Sequence, residues 1–281
     1  REGRATIMTQ DERRRYLIDA LLAERADGEK VVVSEGADDQ RALLRAFMNV
    51  RPPAPVAAEV LEVQDAYLAE RLHERGGAVD AAGLPPFDAV DPVLSRMTLW
   101  RDDITRLAAD AIVNAANDQM LGCFVPGHHC IDNAIHTYAG MQLRLDCARI
   151  MRAQGHAEPT GQVKVTSAHN LPSGLVFHTV GPIVRGSRPT SRDEDLLASC
   201  YRTCLEEATR RDLSTLAFCC ISTGVFGFPQ EEAARVAVRT VLGHLTHTGP
   251  KLKVIFDVFL DSDQRIYQEL LDGARAARRR A

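Results

Sequence analysis

The chain is predicted to be an α/β protein, a three-layer α/β/α sandwich carrying a helical N-terminal extension. Three observations lead there. From about residue 93 onward, short β-rich runs alternate with helical stretches, the pattern of strands joined by covering helices. Several runs, "LAFCCI" among them, are apolar at nearly every position, as expected of a strand covered on both faces. Before that point the spacing is mainly helical, from Asp11 to about His73.

In order, "RRRYLIDALLAER" places Tyr16, Leu17, Leu21 and Leu22 along one helical face, and "DDQRALLRAFMNV" repeats the pattern. "RPPAPVAAE" stops the helix near residue 52, and "GGAVDAAGLPPFDAVDP", rich in Gly, Pro and small residues, is a connector. Residues 1–92 therefore form the extension and residues 93–281 the main domain. Arg1 stands where an initiator methionine is expected, so residues 1–7 are read as a foreign remnant and Met8 as the native start. Strands are predicted in "DAIVNAAN", "QVKVTSA", "LVFHTVGP", "TLAFCCISTG" and "LKVIFDVFL". Helices are predicted over Ile131 to Ala153, Arg192 to Arg211, Glu231 to Leu245 and Asp263 to Leu271.

With 281 residues, 45% of them apolar, the chain can bury a sizeable core. The 34 Lys and Arg against 38 Asp and Glu leave a net charge of -4, which argues against a broad nucleic-acid surface and for a compact ligand. No run approaches the roughly 18 apolar residues of a membrane span, and no leader is recognisable, so no membrane partner and a cytoplasmic home are expected. The odd count of seven cysteines disfavours a disulfide framework.

Four stretches carry chemistry. "GCFVPGHHCIDNAIH" brings Cys123, His128 and Cys130 into a single loop, a donor set that suits zinc. His128 and Cys130 are two apart, so an extended backbone sends both side chains the same way, and His129 the other. Three ligands leave a fourth position open, as in a reactive site, although His136 or Cys147 could close it. A Cys-rich turn with no metal is the alternative. "STGVFGFP" lies between a strand and a helix start, where backbone amides suit a phosphate or serve merely as a tight turn. "DDITRLAADAIVNAAN" supplies Asp103, which can accept from an exocyclic amine, and two asparagines three apart at a strand end. In "CIDNAIHTYAGMQLRLDCARIM", Ile131, Ile135, Tyr138, Met141, Leu145 and Ala148 form one apolar stripe, with Asp132 near the start of that helix.

Taken in order, "NAAN", a glycine, "IDNAIH", "HTVGP" and "STGVFGFP" over about residues 93–270 resemble the macrodomains, which bind ADP-ribose and in many branches hydrolyse it from a modified group. The glycine run of the common hydrolytic members is replaced here by "CFVPGHHC", which resembles the zinc-dependent branch with its helical extension. The resemblance implies a mixed central sheet and a Zn2+ ion on Cys123, His128 and Cys130. It implies an adenine contact at Asp103 and the main chain of Ile104, and Asn117 at the distal ribose. Ile131, Asp132 and Asn133 would border that ribose, and Ser222, Thr223, Gly224, Val225 and Phe226 the phosphates and ribose. Asp102 stands where the family usually has glycine.

The implied reaction is removal of mono-ADP-ribose from a protein side chain, an aspartate or glutamate, with Asp132 and Asn117 as catalytic residues. The alternatives are an ADP-ribose reader without catalysis and an O-acetyl-ADP-ribose deacetylase. Implied partners are a sirtuin-like ADP-ribosyltransferase and a lipoyl carrier protein.

Overall fold

The computed structural model describes residues 7–25, 31–186 and 188–280; most of the N-terminal stretch read as a remnant lies outside them. The extension supplies α1 (Gln10–Ala23), α2 (Ala37–Val50) and α3 (Ala58–Glu74). Helix α1 starts on a capping box, in which Thr9 and Glu12 satisfy each other's backbone amides. Helix α2 stops at Arg51, because the residue before a proline is pushed out of helical geometry. Leu17, Ile18 and Leu21 of α1, Leu44, Phe47 and Met48 of α2 and Val63, Tyr67 and Leu68 of α3 bury one another in a core of their own. Met141 from the following domain is buried in the same core. The packing divides earlier than residue 92: a short strand β1 (Val79–Asp80) pairs with residues 107–108, and Ala81 already belongs to the larger core.

The main domain is built on β2 (Met97–Trp100), β3 (Leu107–Ala108), β4 (Ala111–Ala116), β5 (Val163–Ser167), β6 (Leu175–Val180), β7 (Thr215–Phe218) and β8 (Lys253–Asp257). The helices are α4 (Ile131–Ala139), α5 (Met141–Gln154), α6 (Ser191–Arg210), α7 (Gln230–His247) and α8 (Asp261–Arg278). Six strands form one sheet in the order β2-β8-β7-β4-β6-β5. Every neighbouring pair is parallel except β5 with β6, so the sheet is mixed, as expected. The chain leaves β4 towards β6 on one side and returns to β7 and β8 on the other, making the carboxyl end of β4 the switch point where α/β folds hold ligands. Helices α6, α7 and α8 pack side by side, while α4 packs against β4 and α5 against β5. Among the described residues, no helix is long and apolar enough to cross a membrane.

Two expectations are corrected. The edge strand β2 was not anticipated, because "MTLW" is four residues long and carries no alternation. The single helix expected over Ile131 to Ala153 is two helices, broken at Gly140, whose φ of 94° lies in the left-handed half of the map. The break rotates the buried face, so Leu143 is fully buried while Leu145 is half-buried. It also leaves the amide of Met141 without a helical partner, and Gln64 Oε1 of the extension accepts from it at 2.8 Å.

A β-carbon at Gly140 would lie 2.6 Å from Gln64 Nε2 and 2.7 Å from Gln142 Oε1. Gly140→Ala combines that crowding with a strained backbone and is expected to cost about 2 kcal/mol. Thermal unfolding should show a Tm lower by about 4–8 °C, and an unchanged Tm would contradict this view of the junction.

Candidate functional site

A cleft of ≈ 1520 Å³ opens at the carboxyl ends of the central strands. Its walls include strand ends and the loops that leave them there: residues 115–119 at the end of β4, Gly181 after β6, residues 219, 220 and 222–226 after β7, and residues 257, 259 and 260 at the end of β8. Of the residues singled out from the sequence, Asp103, Ile104, Asn117, Cys123, His128, Cys130, Ile131 and Asp132 line this one space, with residues 222–226 across from them.

Asp132 sits in the first turn of α4 and is 5% exposed. Asn114 Nδ2 donates to its Oδ1 at 2.8 Å, and Asn117 Nδ2 lies 3.4 Å from Oδ2. Asn114 lies within β4 and Asn117 just past its end, so the chain leaving the strand brings both asparagines of "NAAN" to the helix that follows. Burial pushes the Asp132 carboxyl up to about 6, against the pull of the Asn114 hydrogen bond and of the Arg144 charge. Asn114 also faces His178 of β6, its partner in the parallel register, with 3.2 Å between Asn114 Nδ2 and His178 Nδ1. Since that amide nitrogen is a donor, His178 Nδ1 accepts, and its Nε2–H is directed at Thr166 Oγ1, 2.9 Å away.

Cys123, His128 and Cys130 place their donor atoms within 4.8 Å of one another. Cys123 Sγ and His128 Nδ1 are 3.6 Å apart. Bonds of about 2.3 Å to sulfur and 2.0–2.1 Å to nitrogen put the ligands of a tetrahedral zinc about 3.6 Å from each other, so both donor set and spacing fit that ion. The turn that delivers His128 is "VPGH": His128 N donates to Val125 O at 3.2 Å and Gly127 has a φ of 65°, the Pro-Gly signature of a type II turn. Cys130 caps α4, its Sγ accepting from Asn133 N at 3.4 Å. Burial, with the nearby Cys123 and Asp132 adding to it, pushes the Cys130 thiol up to about 12; a coordinated cation deprotonates a thiol outright.

Two expectations need correction. His136 and Cys147, offered as a fourth ligand, gather instead with His178 in a second, fully buried group. Burial lowers His136 well below the ordinary histidine range and His178 to about 4, so both rings are neutral and the 3.6 Å approach of His136 Nε2 to Asp132 Oδ1 is not an ion pair. Asn133, expected at the ribose, is fully buried; its Nδ2 donates to Val125 O at 3.0 Å and its Oδ1 accepts from Arg45, because its position on α4 turns it under the loop. The Asp103 carboxylate faces the cleft already paired, with Arg75 Nη1 at 2.7 Å and Thr105 Oγ1 at 2.6 Å.

On the far wall, Ser222 adopts a φ of 67° and its buried hydroxyl has no partner. A β-carbon at Gly181 would sit 2.0 Å from Ser222 Oγ, which explains the glycine of "HTVGP". Sequence reasoning passed over Asp257, the buried end of β8, whose Oδ1 is unpartnered and whose carboxyl burial holds well above the carboxylate range. Its signal was an acid inside the apolar run "VIFDVF". Arg45 of α2 also lines the cleft, and no local pattern announced it.

Comparison with known proteins places this geometry. The Macro domain model matches residues 113–237. A Protein-ADP-ribose hydrolase from Treponema medium is 47% identical over 268 residues, covering 94% of this chain and all of the relative (100%). A second, from Staphylococcus aureus strain Mu50, is 46% identical over 95% of this chain and 98% of its own length. The crystal structure of a Trypanosoma brucei macrodomain in complex with ADP-ribose superposes with a TM-score of 0.63 at 30% identity, covering 86% of this chain and 100% of that one. Near-complete alignment at this identity, together with the shared fold, shows that the chain belongs to the Macro domain family.

Proposed function

We propose that this protein is a zinc-dependent hydrolase that removes single ADP-ribose units from protein side chains, the modified group being an aspartate or glutamate. One observation carries it: a Cys-His-Cys donor set and a buried carboxylate lie together on one wall of a nucleotide-sized cleft. The names of the aligned relatives, Protein-ADP-ribose hydrolase, support the reaction, and the complex of the Trypanosoma brucei macrodomain supports the ligand.

ADP-ribose is placed with its adenine towards Asp103 and Ile104 and its diphosphate over the amides of residues 222–226, which leaves the distal ribose at Asn117 and Asp132. In the reaction a water oxygen bonds to the anomeric carbon of that ribose. The bond from this carbon to the side-chain oxygen breaks, and the products are ADP-ribose and a free carboxylic side chain that takes a proton from the water. Asn117 fixes the ribose, and Asp132 orients the water or accepts its proton. Cys123, His128 and Cys130 would hold zinc, which supplies Lewis acidity at this end of the cleft. The modified protein is the product of an ADP-ribosyltransferase; a sirtuin-like enzyme and a lipoyl carrier protein are proposed from family resemblance alone. A cytoplasmic setting suits the seven free cysteines.

Two outcomes follow. Treatment with a strong chelator should abolish turnover of a mono-ADP-ribosylated protein and zinc should restore it; turnover that ignores the chelator would contradict the metal requirement, and binding without turnover would leave a reader. Asp132→Ala should lower kcat by about 10²–10⁴-fold while calorimetry finds ADP-ribose binding retained. Full turnover in Asp132→Ala, with Cys130→Ala inactive yet still binding ADP-ribose, would reduce the carboxylate to a structural part.

A further inference from the structure

The segment carrying Cys123, His128 and Cys130 is neither helix nor strand, so its shape is set by what grips it. Much of that grip comes from α2 of the extension. Asn49, 1% exposed, accepts from Gly127 N at 3.0 Å through Oδ1 and donates to Thr137 Oγ1 at 3.0 Å through Nδ2. It therefore pins the turn that delivers His128 to the last turn of α4. One helical turn earlier, Arg45 Nη2 donates to the carbonyl of His128 itself at 3.1 Å. Its Nε and Nη2 also reach Asn133 Oδ1 at 3.2 and 2.8 Å, and Asn133 in turn holds Val125 O.

The opposite side is held by Arg144 of α5. Its Nε donates to Leu121 O at 2.6 Å, its Nη1 donates to Met48 O at 3.1 Å at the end of α2, and its guanidinium lies 4.3 Å from the centre of the Phe124 ring. Helix α2 is thus two-sided. Leu44, Phe47 and Met48 fill the extension's core, while Arg45 and Asn49, four apart and so on one face, grip the donor loop.

We propose that Arg45 and Asn49 are positioning residues that preset the donor loop, making the N-terminal extension a working part of the metal site. This rests on the zinc reading given above. Ordering an irregular loop costs about 1–2 kcal/mol per residue, and a donor set already held in place avoids that cost when the ion binds. Residues that orient metal ligands are typically worth about 10–100-fold in affinity.

The test uses the full chain and zinc itself, with affinity read by competition against a chromophoric chelator. Asn49→Leu keeps the branching and number of side-chain heavy atoms and removes both hydrogen bonds, and Arg45→Met removes the hold on His128. Leu17→Ala, buried in the extension's own core, serves as a reference of comparable destabilisation. Both loop variants should bind zinc about 10–100-fold more weakly, with ADP-ribose affinity at saturating zinc unchanged in Asn49→Leu, whose position lies outside the cleft lining. Leu17→Ala should lower the Tm yet leave zinc affinity at the wild-type value. Should Asn49→Leu not fold, Arg45→Met, at a half-buried position, decides the matter. Wild-type affinity in the loop variants, or an equal loss in Leu17→Ala, would overturn the proposal. A wild-type chain that takes up no zinc is a distinct result, which overturns the metal reading and this inference with it.

Discussion

A carboxylate buried under the first turn of a helix costs free energy unless its oxygens are met. Asp132 is met by amides of Asn114 and Asn117, both from the chain leaving β4. That contact fixes where α4 begins relative to the sheet. Because Cys130 caps the same helix, it also fixes one wall of the donor set, and Asn117 adds a hold on the loop by donating to Gly122 O at 3.1 Å. This end of the cleft is therefore organised from a single joint between strand and helix.

Behind that joint the protein keeps charge out. His136 and His178 are neutral because burial disfavours their protonated forms, and His178 is held in one tautomer between Asn114 and Thr166. A buried and uncharged backing strengthens whatever electrostatic contacts form at the front of Asp132. Arg144 is the nearest compensating charge; its own pKa falls to about 10 through burial, and it is tied to backbone carbonyls of the loop and the extension. Electrostatics and architecture meet in that side chain, which carries both the donor loop and the docking of α2.

Much of this was legible in the residues. The apolar runs that became β4, β6, β7 and β8 are covered on both faces and announce themselves, and the order of "NAAN", "IDNAIH", "HTVGP" and "STGVFGFP" anticipated which loops share the cleft. What escaped notice has physical reasons. Gly140 sits inside an apolar stripe whose period continues across it, so the helix break left no gap in the pattern. Asn133 belongs to a motif whose neighbours face the cleft, and only the helix phase turns it beneath the loop. His136 and Cys147 were assigned by proximity in sequence, while their true neighbour, His178, comes from β6, 31 residues beyond Cys147. The grip of α2 on the donor loop spans contacts 83 and 88 residues apart, and no local periodicity records such a pairing.

Diffraction tests at once where the ion and the sugar lie relative to each other. Crystals of the protein with ADP-ribose, measured on either side of the zinc absorption edge, should give an anomalous peak among Cys123 Sγ, His128 Nδ1 and Cys130 Sγ, with the distal ribose facing it beside Asp132. An absent peak in protein grown with zinc, or a ribose bound at the opposite end of the cleft, would contradict the account.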